Sequence, residues 1–127
     1  MKKLLLLALL VFTGFMGNAQ VRFINLSPAQ FNTALEEEAG EKLIDVRQDW
    51  EFAKGHLKGA ENVDFMGDDF EKIMDAVSRN TPIYVYCFSG GRSAEASEKL
   101  KLMGFKKVVN MTGGISAWEK AMLPIVK

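Results

Sequence analysis

The 127-residue chain has one cysteine and one histidine. Such a pair cannot build a four-ligand structural zinc site. With a single thiol, a disulfide within the chain is excluded. An excess of one charge is also missing. Lys+Arg and Asp+Glu both number 16, so the formal net charge is zero. No basic surplus points to nucleic acid. The short acidic run Glu36-Glu37-Glu38 reads as a solvated helix face. Linkers, repeats and low-complexity stretches are absent beyond the first residues, and the length suits one domain. No metal and no organic cofactor are expected.

A membrane-spanning run is missing too. A span needs about 20 apolar residues, and the apolar run 4–12 is shorter. Lys2 and Lys3 precede it, and Gly17-Asn18-Ala19 comes after it. Residues 1–19 therefore read as an export signal cleaved after Ala19. The alternative is an uncleaved anchor. The expected product is residues 20–127, without stable membrane insertion. It would be periplasmic in a Gram-negative source and secreted otherwise.

From Val21 onward the chain alternates between strand and helix patterns. Strands are expected over 21–26, 42–46, 62–65, 83–87 and 107–110. The first helix starts with Ser27-Pro28-Ala29-Gln30: a Ser cap, Pro at the first position and Gln three residues on. Gly40 ends it. Further helices are expected over 49–54, 68–78 and 92–103, and from Gly113-Gly114 onward. Phe70, Ile73, Met74 and Val77 should share one buried face. This order predicts an α/β domain, with a mostly parallel central sheet of about five strands and helices on both faces.

The stretch 83–93 carries the chemistry. Ile83, Tyr84, Val85 and Tyr86 form a strand pattern, and Cys87 comes at its end. Phe88-Ser89-Gly90-Gly91 is a loop, and a helix pattern starts at Arg92. One reading of Cys87 is a small buried apolar residue. The surroundings favour a reactive thiolate instead. A helix N-terminus favours negative charge, and glycines let successive N–H groups converge on one point. The amides from Phe88 through Arg92 are the expected donors. Arg92 adds positive charge at the rim, and Ser93 is the next residue of the helix.

Asp45 and Arg47 stand at the end of the apolar run of strand 42–46. They are read either as groups at the ligand crevice or as a local pair, Asp45–Arg47 or Arg47–Glu51, that organises the turn. His56 is either a base or a structural hydrogen-bonding group within its loop. The second is the stronger reading, because His56 lies far in sequence from Cys87 and has no motif partner.

Cys87-x-x-Gly90-x-Arg92-Ser93 resembles the active-site loop of rhodanese-like sulfurtransferases. Ile44-Asp45-Val46-Arg47, Glu51-Phe52 and Gly55-His56-Leu57-Lys58-Gly59-Ala60 are similar to the family's N-terminal signature. Gly113-Gly114-Ile115-Ser116-Ala117-Trp118 is similar to its C-terminal one. The resemblance implies a single rhodanese-like domain and a sulfurtransferase. Cys87 would carry a sulfane sulfur as a persulfide. It would take the sulfur from thiosulfate, polysulfide or a persulfide and pass it to a thiol, a protein thiol or cyanide. Phe88, Ser89, Gly90, Gly91, Arg92, Ser93 and Arg47 would bind substrate, supported by Asp45, in a monomer.

Four residues separate Cys87 from Arg92. The related cysteine phosphatases have a longer C-x5-R loop that cradles a tetrahedral phosphate, so the shorter loop favours sulfur over phosphoryl transfer. Neutral Phe88 and Ser89 stand where strong thiosulfate users carry basic residues. That favours a polysulfide, an organic persulfide or a protein partner. The rival readings are a rhodanese-fold interaction or redox-sensing module without turnover, and a phosphatase or arsenate-type reductase.

Overall fold

The computed structural model describes residues 22–127. The expected export signal (1–19) and the expected strand start at Val21 lie outside the described residues. In chain order the elements are β1 (Ile24–Leu26), α1 (Pro28–Glu37), β2 (Lys42–Asp45), α2 (Asp49–Lys54), β3 (Glu61–Asn62), α3 (Phe70–Asp75), β4 (Ile83–Tyr86), α4 (Gly91–Leu102), β5 (Val108–Met111) and α5 (Gly114–Lys120). All five strands are parallel, in the order β1-β5-β4-β2-β3.

The period-two alternation of strand side chains divides the core into two layers. Ile44, Ile83, Val85, Cys87 and Val108 face one side, against Phe70 and Met74 of α3 and Ala96 and Leu100 of α4. Leu43, Tyr84, Tyr86, Val109 and Met111 face the other, against Phe31 of α1 and Ile115 and Trp118 of α5. Each fully buried aliphatic side chain contributes about 1.5–3 kcal/mol, so the two layers clamp β4 and β5 from both faces. Helices therefore cover both faces of the sheet. The α1 start forms as expected: Gln30 N–H donates to Ser27 Oγ at 3.3 Å and Ser27 N–H to Gln30 Oε1 at 3.0 Å.

Several elements are shorter than expected: β1 begins only at Ile24, β2 and β4 each end one residue early, and α3 and β3 are cut further. Helix α3 stops at Asp75 instead of running to Ser78. Arg79 is the reason: its Nη1 donates to the carbonyls of Asp75 and Val77 at 3.2 and 2.9 Å, and its Nε to Met103 O at 2.9 Å. These bonds satisfy the carbonyls that another helical turn would have used. Phe70 and Met74, one turn apart, take the core face, and Ile73 is left 45% exposed. Strand β3 ends at Asn62, although the amides of Val63 and Phe65 still donate to Asp45 O and Val46 O.

Strand β2 leads by α2 to β3 at one edge, and β4 leads by α4 to β5 on the other side. The order thus reverses between β2 and β4. In an open parallel sheet, the crevice beyond the carboxyl ends at such a point is where ligands bind. Asp45, Arg47 and Cys87 all lie there.

Candidate active site

Cys87 comes directly after the last residue of β4 and is 1% exposed. Its Sγ accepts hydrogen bonds from Gly90 N–H at 3.1 Å and Ser93 N–H at 3.4 Å. These positions are set by helix geometry. Gly90 is the N-cap of α4 and Ser93 is its third residue. The amide of the third residue is one that an N-cap side-chain oxygen usually takes. No side chain of the N-cap residue caps α4, and Sγ occupies that role. A site built for a cap oxygen therefore holds a sulfur, and the helix dipole adds to its preference for negative charge.

The expected donors ran from Phe88 through Arg92. Of these, Gly90 makes the bond, and Ser93, one residue beyond the range, makes the other. Ser93 is fully buried, and its hydroxyl donates to Gly90 O at 3.3 Å. Its contact with sulfur is through the backbone. Gly90 adopts φ 113°, a conformation that only glycine takes readily.

The start of α5 turns the loop inward. Ile115 N–H donates to Cys87 O at 2.9 Å, and Ser116 N–H to Phe88 O at 3.0 Å. Both carbonyls are drawn away from the loop interior, which leaves the interior to amides. The approach is possible because residue 114 is glycine. A Cβ there would stand 2.3 Å from Phe88 O and 2.5 Å from Cys87 O.

Arg92 turns its fork to Glu51, with Nη1 to Oε1 at 2.8 Å and Nη2 to Oε2 at 3.0 Å. Glu51 Oε1 also accepts Gln48 N–H at 3.2 Å, which ties the start of α2 to α4. The Arg92 hydrogen bond holds the Glu51 carboxyl below its usual range. The same bond raises the Arg92 guanidinium above its ordinary value.

Arg47 and Asp45 form a second, deeper pair. Arg47 Nε donates to Asp45 Oδ1 at 2.9 Å and Nη2 to Oδ2 at 2.7 Å, with a further bond from Nη2 to Gly55 O at 2.7 Å. Asp45 is fully buried and Arg47 is 5% exposed. Of the two local pairs open to Arg47, the one with Asp45 forms. Glu51 joins Arg92 and not Arg47. Burial raises the Tyr86 phenol, whose oxygen accepts Leu57 N–H at 3.0 Å. His56 stacks on Phe52 with centroids 3.7 Å apart, and its Nδ1 lies 2.9 Å from Phe52 O. Its backbone pairs with Val126. These contacts are structural.

Beside the loop lies a cavity of about 430 Å³ lined by Arg47, Trp50, Glu51, Lys54, Phe88 and Ile115, with Gly55, Glu119 and Ile125 completing it. Phe88 is half exposed and forms part of this wall. Ser89 and Gly91 face solvent. Sequence reasoning missed Trp50 as a wall, Glu51 as the partner of Arg92 and Gly114 as the point of close approach. The Gly113-Gly114 doublet was a signal for the last of these. Nothing local linked Glu51 to Arg92.

The model of the rhodanese-like domain family matches residues 27–121. Thiosulfate sulfurtransferase 16, chloroplastic, of Arabidopsis thaliana is 38% identical, covering 68% of this chain and 80% of the plant protein. Thiosulfate sulfurtransferase GlpE of Actinobacillus pleuropneumoniae serotype 7 is 30% identical, covering 81% and 93%. The crystal structure of a rhodanese-related protein from Thermoplasma volcanium superposes with a TM-score of 0.70 at 27% identity, covering 83% of this chain and 97% of that one.

Proposed function

The chain belongs to the rhodanese-like domain family, and we propose that it is a sulfurtransferase working through a persulfide on Cys87. The observation that carries this reading is the pair of amides, from Gly90 and Ser93, aimed at Sγ. The Cys87 thiolate attacks the outer sulfur of the donor. The donor's S–S bond breaks, and its electron pair leaves with sulfite, a shortened polysulfide or a thiolate. An acceptor thiolate or cyanide then attacks the outer sulfur of the Cys87 persulfide. The acceptor leaves as a persulfide or thiocyanate, and the Cys87 thiolate returns. The loop amides stabilise the anion at each stage, as oxyanion-hole donors do.

Incubation with polysulfide is expected to add one sulfur atom to the peptide containing Cys87, and cyanide to remove it as thiocyanate. Cys87→Ser abolishes both steps while the circular dichroism spectrum stays native. If wild-type protein takes up no sulfur from any donor, turnover is absent and the interaction-module reading replaces this one.

Export belongs to the same proposal. Lys2, Lys3, the apolar run 4–12 and Ala19 support cleavage before Gln20. Intact mass of the exported chain checks it: a match to residues 20–127 is expected, and full-length protein in the membrane fraction would point to an anchor.

A further inference from the structure

We infer that the cavity beside the loop selects sulfur carriers with an apolar organic arm, namely thiols and their persulfides, over compact anions such as thiosulfate. The inference rests on the sulfurtransferase reading and names the substrate class of that site. At about 430 Å³ the cavity has the size of a small-molecule pocket. Its apolar walls are Trp50, Phe88, Ile115 and Ile125. Two of them are tied to Cys87 through the backbone: Phe88 is the next residue, and Ile115 N–H donates to Cys87 O at 2.9 Å.

The two guanidinium groups beside the cavity are already paired, and the remaining charges of its lining, Lys54 and Glu119, are of opposite sign. Arg47 is forked on buried Asp45, and Arg92 behind the loop is forked on Glu51. Lys54 Nζ lies 5.0 Å from the Trp50 ring centroid. A compact dianion entering here would meet guanidinium groups already forked on carboxylates, with the Glu119 carboxylate in the same lining as Lys54. An apolar arm instead gains from leaving water against Trp50, which is 55% exposed, and Phe88, which is 49% exposed.

The chemistry fits an arm in this position. When a carrier R–S–SH donates, the Cys87 thiolate takes the outer sulfur, the S–S bond breaks and R–S⁻ departs with the electron pair. In the reverse direction R–S⁻ attacks the outer sulfur of the Cys87 persulfide. In both directions R lies on the side of the sulfur away from Cys87, where the walls can hold it.

The test uses protein loaded with polysulfide and freed of excess donor. Sulfur loss from Cys87 is timed against benzyl mercaptan and 2-mercaptoethanol, two thiols of similar acidity. Wild-type protein is expected to prefer benzyl mercaptan roughly tenfold, the scale on which a hydrophobic pocket discriminates. Trp50→Ala and Phe88→Ala should each move that ratio toward one. The ratio is the readout, so a general loss of loading cancels. Equal rates in loaded wild-type protein would overturn the inference and leave the sulfurtransferase reading standing. An undiminished preference in both variants would also overturn it, since the arm would then lie elsewhere. Failure of Cys87 to load at all would instead remove the reading beneath it.

Discussion

Helices α4 and α5 come after neighbouring central strands. Each starts behind a glycine in the left-handed region, Gly90 at φ 113° and Gly113 at φ 78°, and neither N-cap residue supplies a side-chain cap. Their open amides go to different acceptors. Those at the start of α4 go to Cys87 Sγ, and those of Ile115 and Ser116 in α5 go to the carbonyls of Cys87 and Phe88. One helix holds the Cys87 sulfur, and the other holds the loop that presents it. By contrast, α1 has an ordinary Ser27 cap and no part in the site. Omitting a cap residue leaves amides available. Whether they become a site or a scaffold depends on which acceptor the neighbouring strand delivers.

The division of labour breaks most completely at Gly114. Its φ is 60°, and a Cβ there would clash with backbone, which cannot rotate away as a side chain does. Gly114→Ala is expected to cost about 2–5 kcal/mol from strain and overpacking together. It should also release the Phe88 carbonyl. Urea unfolding and sulfur uptake are to be measured on the same preparation, and both should fall. Normal uptake in a destabilised protein would mean that α5 supports the fold without shaping the loop.

A smaller effect is expected at the α4–α2 contact. The Glu51–Arg92 fork is partly exposed, with side chains 14% and 30% accessible. Its worth is about 1 kcal/mol after solvent screening. Because Arg92 lowers the folded-state pKa of Glu51, the unfolded chain takes up that proton first as pH falls. The stabilisation is present above the ordinary carboxylate value of 4.5 and is lost as pH falls through the lowered one. The stability gap between wild type and Glu51→Gln should therefore be full at neutral pH and close below pH 4.5. A gap that does not change with pH would assign the loss to packing.

Much of this was legible in the sequence because it is local. The Ser27–Gln30 cap, the β-branched and aromatic run from Ile83 to Tyr86, and the cysteine at a strand-to-helix junction each depend on residues a few positions apart. The helix periodicity of α3 was legible as well, but its end was set by Arg79, which bonds the carbonyls of Asp75 and Val77 while anchored on Met103 O, 24 residues away. The site divides in the same way. Asp45–Arg47 was among the local pairs expected, since only Val46 lies between them. Glu51–Arg92 spans 41 positions and leaves no local mark. The sulfur's second donor was placed within Phe88–Arg92 and is Ser93. Helix geometry, which aims the amide of the third helical residue at the cap, decided the point over loop composition.

The finest contrast lies between adjacent glycines. Gly90 has φ 113°, and a Cβ there would come within 3.3 Å of Gly113 N, where α4 and α5 meet. Gly91, the first residue of α4, lies outside the left-handed region, and a Cβ there would meet nothing within 4 Å. An alanine at 91 therefore keeps the native conformation and restricts only the unfolded chain. Gly91→Ala is expected to stabilise by about 0.4–1 kcal/mol, whereas Gly90→Ala should destabilise through strain of about 1–3 kcal/mol. Paired denaturation curves would show midpoints moving in opposite directions from wild type. If both midpoints fell, the start of α4 would need conformational freedom at Gly91 as well, and the tight position of the loop would extend into the first helical turn.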